Sequence, residues 1–487
     1  MQPRVGQEYL YPVRNIPSTT RGDENSPAKG DLGVPVSGAN KSSQTSNLLH
    51  RNMHRHYPVI THGKGIYLYD EDGKAYIDGC SGAMVANIGH GVEEVAEAMY
   101  QQAKTLSFTH SSRFTSRPTI ELAERIRTLT PGDLNHVFFV SGGSEATESA
   151  IKLARTFFLE TEGMDTTRWK VISRLHSYHG GTLGAVAVTG HIPRRRKYEP
   201  MLVQFPLIAP AYCYRCTLGL THPECDLACA RELEKAIVQN DPKTIAAFIA
   251  EPIVGAAAGA VPPPDGYFER IRQICDQYGV LFIADEVMTG FGRTGEIFAM
   301  NHWDIVPDII ACAKGMGAGY APLGGVALSD KIADALVAGS GQFSHGFTYS
   351  GNPLACSAGL AVLDFVQKHD LVRNSRDMGN VLFEELELLK DNPIVGDIRG
   401  RGLFAGIELV RDRTSKECFA PSLSAAERVT QECVQRGLVV YPGTGMVEGT
   451  MGDQFIVGPP LTITRDEISE VVARLDAALE AAAGQLL

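Results

Sequence analysis

The 487-residue chain lacks several features that would point to nucleic acids, membranes or nucleotides. Its formal net charge of −11 leaves it without the excess of lysine and arginine that a nucleic-acid-binding face requires. No apolar stretch is long enough to span a bilayer without a glycine or a charge. No G-x-x-x-x-G-K-[ST] phosphate loop is present, and the glycine-rich segment 315–320 after Lys314 does not fit the G-x-G-x-x-G fingerprint. We therefore predict no nucleic-acid or membrane partner, and the mismatch at this segment argues against a nicotinamide-dependent oxidoreductase.

The amino-terminal sequence also lacks a targeting pattern. No basic stretch precedes an apolar one, and acidic residues interrupt the polar residues around Arg21. We therefore expect a cytoplasmic protein. Residues 1–45 are polar and rich in glycine, serine and proline, and this composition predicts a flexible arm.

Cysteine is not scarce, but the ten cysteines do not form the pattern of a secreted disulfide framework. Most of those that stand alone lie in apolar contexts, which is typical of small core residues. Four others, Cys213, Cys216, Cys225 and Cys229, form a cluster with His222 between the two pairs. A structural metal site, disulfides and free thiols all remain open for this cluster. We predict no catalytic role for it and assign no metal-binding residues.

Strand-like and helical patterns alternate through the middle of the chain, which is typical of a doubly wound α/β domain with a mainly parallel sheet. After about residue 370 the pattern changes to that of a smaller α+β domain. We therefore predict a large domain at 111–370 and a C-terminal small domain at 371–487. The flexible arm at 1–45 and an N-terminal segment at 46–110, which joins the small domain, complete the organisation.

Three short apolar runs of the predicted large domain each end in a charged side chain: Glu251, Asp285 and Lys314. Continuous apolar runs are typical of strands buried on both faces, and ligands bind beyond the carboxyl ends of such strands. A lysine buried there has a lowered pKa, and the neutral amine is the nucleophile of Schiff-base chemistry. Taken alone, Lys314 is equally explained as a strand-end lysine whose amine reaches the solvent. Taken alone, Asp285 is equally explained as a helix cap or as half of an ion pair.

A strand predicted at 137–140 runs into the turn Ser141-Gly142-Gly143-Ser144, and a helix with one apolar stripe follows. Such a turn binds phosphate when its glycines let the backbone approach an anion. Taken alone, a helix cap at Ser144 or tight packing is the simpler interpretation. Together with Lys314 and Asp285, the turn matches what pyridoxal phosphate needs: an amine for its aldehyde, a carboxylate for its ring nitrogen and a cradle for its phosphate.

In these segments the chain resembles the class III, or omega, aminotransferases of the fold-type I pyridoxal-phosphate enzymes. The resemblance extends from about Gly65 to the C-terminus. Besides the glycine turn, the matching segments are Ser177-Tyr178-His179-Gly180, Glu251-Pro252, Asp285-Glu286-Val287-Met288-Thr289-Gly290-Phe291-Gly292-Arg293-Thr294-Gly295, Lys314-Gly315, Pro322-Leu323-Gly324-Gly325 and Phe347-Thr348-Tyr349-Ser350-Gly351-Asn352-Pro353. The long segment that begins at Asp285 is highly specific to the family.

The resemblance implies a role for each matching residue. Lys314 would form a Schiff base with the cofactor and move a proton, Asp285 would hold the ring nitrogen, and Tyr178 would stack on the ring. These three are the predicted catalytic residues. Val287 would pack on the other ring face, and Thr348 would bind phosphate in the neighbouring subunit of a homodimer with shared active sites. The predicted cofactor-binding set is Gly143, Ser144, Tyr178, His179, Glu251, Asp285, Val287, Lys314 and Thr348, with Glu251 in a supporting role.

The chain departs from the family pattern at two places that bear on its substrates. It has Met288 where many relatives carry a glutamine that contacts the cofactor's phenolic oxygen. It has no arginine in residues 441–461, where many relatives carry an arginine that grips a substrate carboxylate. We therefore expect an amine or an omega-amino compound as donor, and a keto acid such as pyruvate, or an aldehyde, as acceptor.

The resulting prediction is a pyridoxal-phosphate-dependent transaminase. A lyase, a decarboxylase or an aminomutase on the same fold is the alternative, because these enzymes differ only in which substrate bond aligns with the π-system of the ring. A non-catalytic relative kept as a binding module predicts the loss of Lys314 or Asp285, and both residues are present.

Overall fold

The computed structural model describes residues 47–487, so the predicted arm at 1–45 lies outside the described residues. Residues 58–487 form one unit, and residues 47–57 belong to a separate one. The strands are β1 Ile60–Lys64, β2 Tyr67–Asp70, β3 Ala75–Asp78, β4 His136–Val140, β5 Lys170–Arg174, β6 Leu207–Ile208, β7 Ile245–Ala250, β8 Leu281–Asp285, β9 Ile309–Cys312, β10 Gly324–Leu328, β11 Val395–Gly400, β12 Ala405–Leu409, β13 Leu438–Val439, β14 Tyr441–Val447 and β15 Met451–Val457.

Helices cover these strands and connect most of them. They are α1 Ser81–Met84, α2 Glu93–Thr105, α3 Arg117–Arg127, α4 Gly143–Glu162, α5 Leu183–Ala187, α6 Ile192–Arg195, α7 Ala228–Gln239, α8 Tyr267–Tyr278, α9 Asp330–Ala338, α10 Pro353–Lys368, α11 Leu371–Leu386, α12 Ala425–Gln435 and α13 Arg465–Leu486. Within the part of the chain that the structure describes, none of them combines the length and the apolar character of a membrane-spanning helix.

A seven-stranded sheet in the order β4-β10-β9-β8-β7-β5-β6 positions the candidate site. The five neighbouring strands β9, β8, β7, β5 and β6 are parallel to one another, whereas β10 runs antiparallel to both β4 and β9. On β7, Ile245 and Phe248 pack into the core that contains α8, whereas Ala247 and Ile249 pack into the core that contains α4. Helices therefore cover both faces, which confirms the predicted mainly parallel, doubly wound sheet.

The predicted glycine turn joins β4 to α4 at the carboxyl edge of this sheet. The strand ends at Val140 and the helix begins at Gly143. The helix holds its place because its apolar stripe is buried against the sheet; the stripe consists of Ala146, Ala150, Leu153, Ala154 and Phe157. Since β4 and β9 both run opposite to β10, the first turn of α4 lies at the same sheet edge as the ends of β8 and β9.

Two four-stranded sheets lie outside the central one. The first has the order β1-β2-β3-β13; it contains the antiparallel pair β2 and β3, and β13 joins β3 in parallel. The second, β11-β12-β15-β14, is antiparallel throughout and shares a core with α11, α12 and α13. The division into segments at residues 110 and 370 stays a prediction.

A buried charge cluster ties the cysteine-containing segment to β12. The carboxylate of Glu408, which is fully buried, accepts hydrogen bonds from Arg399 at 2.7 Å, from Arg215 and from the hydroxyl of Tyr212. We expect Glu408→Ala to lower the free energy of unfolding by about 3–5 kcal/mol, because it leaves buried guanidinium groups without their acceptor. Denaturant unfolding checks this expectation. Glu417→Ala, which removes an exposed partner of Arg411, serves as the control and should leave the midpoint unchanged.

Candidate active site

The three strand-end charges meet at the carboxyl edge of the central sheet. Glu251 follows β7 directly, Asp285 is the last residue of β8, and Lys314 lies two positions beyond β9. These strands are consecutive neighbours in the sheet. The side chains of Glu251 and Asp285 are buried. The structure thus brings together the acid and amine residues that the sequence predicted at one edge.

Lys314 has an amine whose pKa is lowered to about 8. The residue keeps some solvent-accessible surface, but protein atoms surround the amine, and this burial is the largest cause of the shift. The positive charges of Arg194 and Arg293 lower the pKa as well, whereas the negative charges of Asp285 and Glu251 raise it. A sizeable fraction of the amine is therefore neutral near pH 8, as a nucleophile must be.

The backbone of Lys314 is strained. Its φ of +44° lies in the left-handed region, which residues with a side chain rarely adopt. The N–H groups of Gly317 and Ala318 donate to its carbonyl oxygen, at 3.1 and 2.8 Å, and hold this conformation. Backbone strain of this kind is kept where the surrounding contacts hold the residue firmly, and such residues are concentrated in active sites.

A buried hydrogen bond orients Asp285. His179 Nδ1 and Asp285 Oδ2 are 2.7 Å apart, and the other carboxylate oxygen accepts from the N–H of Val287 at 3.1 Å. The opposite ring nitrogen of His179, Nε2, is buried without a hydrogen-bond partner among residues 47–487. A buried nitrogen left unpaired costs free energy, so this one is an indication that the protein alone does not complete the site.

Glu251 fixes the loop that carries Tyr178. Its two carboxylate oxygens accept from the N–H of Tyr178 at 2.9 Å and from that of Gly255 at 2.8 Å. Burial raises the pKa of Glu251. Arg174 donates to the carbonyl oxygen of the same glutamate. This geometry accords with a supporting role for Glu251.

The glycine turn opens onto free space. A Cβ atom built on Gly142 would meet no atom within 4 Å, whereas one on Gly143 would lie 2.7 Å from Val287 Cγ1. Val287 therefore packs directly against the turn. Ser144 Oγ accepts from the N–H of Gly181 at 2.9 Å, which joins the turn to the loop after Tyr178. Because the first N–H groups of a helix lack partners within it, this turn is suited to an anion.

One predicted residue, Thr348, is not joined to the rest of this site. Thr348 is exposed in the loop between α9 and α10, and no hydrogen bond within the described chain joins it to the other candidates. Met288 is buried in an apolar cluster with Ile253 and Ala256.

The cysteine cluster forms no metal centre in the described chain. Cys213, Cys216, Cys225 and Cys229 are free thiols there. Throughout residues 47–487, no group of three or more histidine, cysteine, aspartate or glutamate side chains is arranged to hold a metal ion. Cys213, Cys216 and His222 instead line a cavity of about 730 Å³, whose lining does not include Lys314.

The structure adds one residue that the sequence analysis missed. The guanidinium carbon of Arg194 lies 4.1 Å from the centroid of the Tyr178 ring. The only sequence signal was the run Arg194-Arg195-Arg196, and nothing in that run shows which arginine faces the site.

A lysine with a lowered pKa, a buried carboxylate oriented by a histidine, and an open glycine turn at a helix N-terminus define the site of a pyridoxal-phosphate enzyme. The sequence model of the family 'Aminotransferase class-III' matches residues 49–479 of the chain. The chain belongs to this family, and the resemblance found in its sequence is confirmed.

Individual relatives agree with this assignment. The chain is 42% identical to the uncharacterized aminotransferase YodT of Bacillus subtilis, over 88% of this chain and 96% of that one. The crystal structure of a thermostable (S)-enantioselective omega-transaminase from Thermomicrobium roseum has 40% identity and a TM-score of 0.83, covering 88% and 94% of the two chains. A PLP-bound amine transaminase from an uncultivated Pseudomonas species has 34% identity and a TM-score of 0.83, covering 91% and 99%.

The protein is thus an aminotransferase that depends on pyridoxal phosphate and acts on an amine donor and a keto-acid acceptor. Its own residues fit this cofactor. The backbone at Gly142 faces open space, as the approach of a phosphate requires, Asp285 suits a protonated ring nitrogen, and the amine of Lys314 suits an aldehyde.

Proposed function

We propose that Lys314 holds pyridoxal phosphate through a Schiff base, and that the enzyme transfers an amino group from an amine or an omega-amino compound to a keto acid such as pyruvate, or to an aldehyde. The observation that carries this proposal is the buried amine of Lys314, with its pKa of about 8, beside Asp285 and Glu251. The lack of an arginine in residues 441–461 supports the choice of donor.

When bound, pyridoxal phosphate supplies an aldehyde that accepts the amino group and a ring that takes up an electron pair. Lys314, as a neutral amine, accepts a proton from the substrate carbon, and as an ammonium it returns the proton. A pKa of about 8 makes both states accessible near neutral pH. The side chain of Lys314 therefore both removes the proton and returns it.

The remaining predicted residues position the cofactor. The carboxylate of Asp285, oriented by His179, would hold the ring nitrogen of the bound cofactor. Gly143 and Ser144 would bind its phosphate through the helix N-terminus. Val287 and Tyr178 would pack against its ring.

The quaternary arrangement is also part of the proposal. Thr348 is exposed and makes no hydrogen bond to the other candidate residues of its own described chain, which supports a role in the phosphate site of a partner. We propose a homodimer in which each subunit contributes Thr348 to the other. The cytoplasmic location stays a prediction from the amino-terminal sequence.

A spectroscopic half-reaction tests the choice of donor. The holoenzyme is mixed in turn with simple amines, omega-amino acids and α-amino acids, and the visible absorption band of the bound cofactor is recorded. We expect the first two classes to bleach the band and pyruvate to restore it. Bleaching by α-amino acids alone contradicts the proposed donor class, and a band that no keto acid restores contradicts transamination.

The pKa of Lys314 predicts how cofactor capture depends on pH. After removal of the cofactor, we expect the rate at which the protein captures added pyridoxal phosphate to rise with pH and to level off above about 8, because the neutral amine is the reacting form. Stopped-flow absorbance measures this rate. A midpoint near 10.5, the ordinary value for lysine, would show that burial does not shift the amine.

A further inference from the structure

Arg194 is the member of an arginine run that reaches the active site. The guanidinium of Arg195 donates to the carbonyl oxygens of Ala187 and Thr189 and pairs with Glu199. Arg196 is exposed. Arg194 instead lies over the ring of Tyr178, with its guanidinium carbon 4.1 Å from the ring centroid. This cation–π contact places the guanidinium beside a residue of the predicted catalytic set.

The position of Arg194 is built into the fold. The residue before α6, His191, donates its backbone N–H to Ser177 at 3.0 Å, and His191 Nε2 lies 2.9 Å from the carbonyl oxygen of Thr444. Arg194 Nη2 donates to the hydroxyl of Tyr441 at 3.4 Å. Arg194 is therefore held between the Tyr178 loop and β14, a strand within residues 441–461, which lack an arginine.

The charge of Arg194 has no counter-ion in the described chain. No carboxylate of residues 47–487 lies within 4.0 Å of its guanidinium nitrogens, whereas Arg195 has Glu199. The positive charge nevertheless acts on the amine of Lys314, where it adds to the effect of burial in lowering the pKa. An unpaired guanidinium that acts on the catalytic amine offers the planar pair of donors that a carboxylate requires.

We propose that Arg194 binds the carboxylate of the keto-acid acceptor. It binds the carboxylate of the donor in the same way when the donor carries one. The inference rests on the proposed function and deepens it, because it assigns carboxylate-bearing compounds to this active site. Simple amines and aldehydes also react, but without this contact.

The test compares acceptors with and without a carboxylate. Holoenzyme carrying Arg194→Leu is assayed with one simple amine donor and with either pyruvate or an uncharged aldehyde as acceptor. We expect kcat/KM for pyruvate to fall roughly 10- to 100-fold, mainly through KM, since a hydrogen-bonded charge pair is lost. The value for the aldehyde should fall much less, because there the variant loses only the minor effect of Arg194 on the pKa of Lys314. Arg196→Leu, on the exposed neighbour, is the matched control and should change neither.

A binding measurement gives a readout that does not depend on turnover. Propionate, which has a carboxylate and no carbonyl to react, is titrated into the holoenzyme while the absorption of the bound cofactor is followed. We expect the dissociation constant to rise by a similar factor in Arg194→Leu and by less in Arg194→Lys, which keeps the charge but loses the planar fork.

The outcomes separate the two proposals. Equal losses with pyruvate and aldehyde would overturn the inference, because Arg194 would then support Tyr178 or the local fold. Unchanged pyruvate kinetics together with unchanged propionate binding would overturn it as well. If the unaltered enzyme transaminates neither acceptor, the proposed function fails, and the propionate titration still decides whether Arg194 binds a carboxylate.

Discussion

Replacing Lys314 with alanine is expected to abolish transamination and the visible band of the covalently held cofactor. The loss of the proton-transferring group alone costs roughly 10²–10⁴-fold in rate. The covalent attachment is lost in addition, because no other amine is predicted to take its place. Absorbance of the purified variant with added pyridoxal phosphate, followed by steady-state assays with an amine and pyruvate, measures both effects.

Folding and chemistry are separable in this variant. The substitution removes an amine whose charged form is disfavoured by burial, so the unfolding midpoint of the cofactor-free protein should not fall. Lys331→Ala, which removes a half-exposed lysine on α9, is the control and should retain full activity. A small primary amine added to Lys314→Ala should restore part of the rate, because it can occupy the vacated space and carry the proton. Full activity without such an addition contradicts the assignment of Lys314.

Replacing Asp285 with asparagine is expected to slow the reaction roughly 10²–10³-fold while preserving the fold, since the removal of one preorganised electrostatic contact has that effect in other active sites. Asparagine matches aspartate in size, and its single oxygen can still accept from the Val287 N–H. Its NH2 group then faces His179 Nδ1 and donates to that nitrogen in the tautomer that leaves Nδ1 unprotonated. It lacks the negative charge that would hold the cofactor's ring nitrogen protonated. Single-turnover absorbance with an amine donor measures the step.

The same variant has a second, independent readout. The charge of Asp285 raises the pKa of Lys314, so its removal should move that pKa below about 8. The pH profile of cofactor capture should therefore shift to lower pH. Asp276→Asn, at an exposed position that pairs with Arg272 on α8, should change neither rate nor profile. An unchanged rate in Asp285→Asn would mean that another group holds the ring nitrogen.

Much of the fold and the centre of the site follow from local sequence patterns. The apolar runs before Glu251, Asp285 and Lys314 predicted buried parallel strands, and the structure has β7, β8 and β9 there. The antiparallel direction of β10 was not predicted, because its apolar residues, like those of its neighbours, are buried on both faces. Burial of that kind leaves no mark of strand direction in the sequence.

Short, local patterns in the chain reveal the chemistry of the site: a lysine, an aspartate and a glycine turn at strand ends match pyridoxal phosphate, and the motifs around them resemble those of the class III aminotransferases. Which side chains meet depends on the fold as a whole. His179 and Asp285 are 106 residues apart in the chain, and Arg194 contacts Tyr178 only because the segment that contains α5 and α6 folds back on the Tyr178 loop. Contacts of this kind depend on strand order and loop conformation, which many side chains specify together and no single motif records.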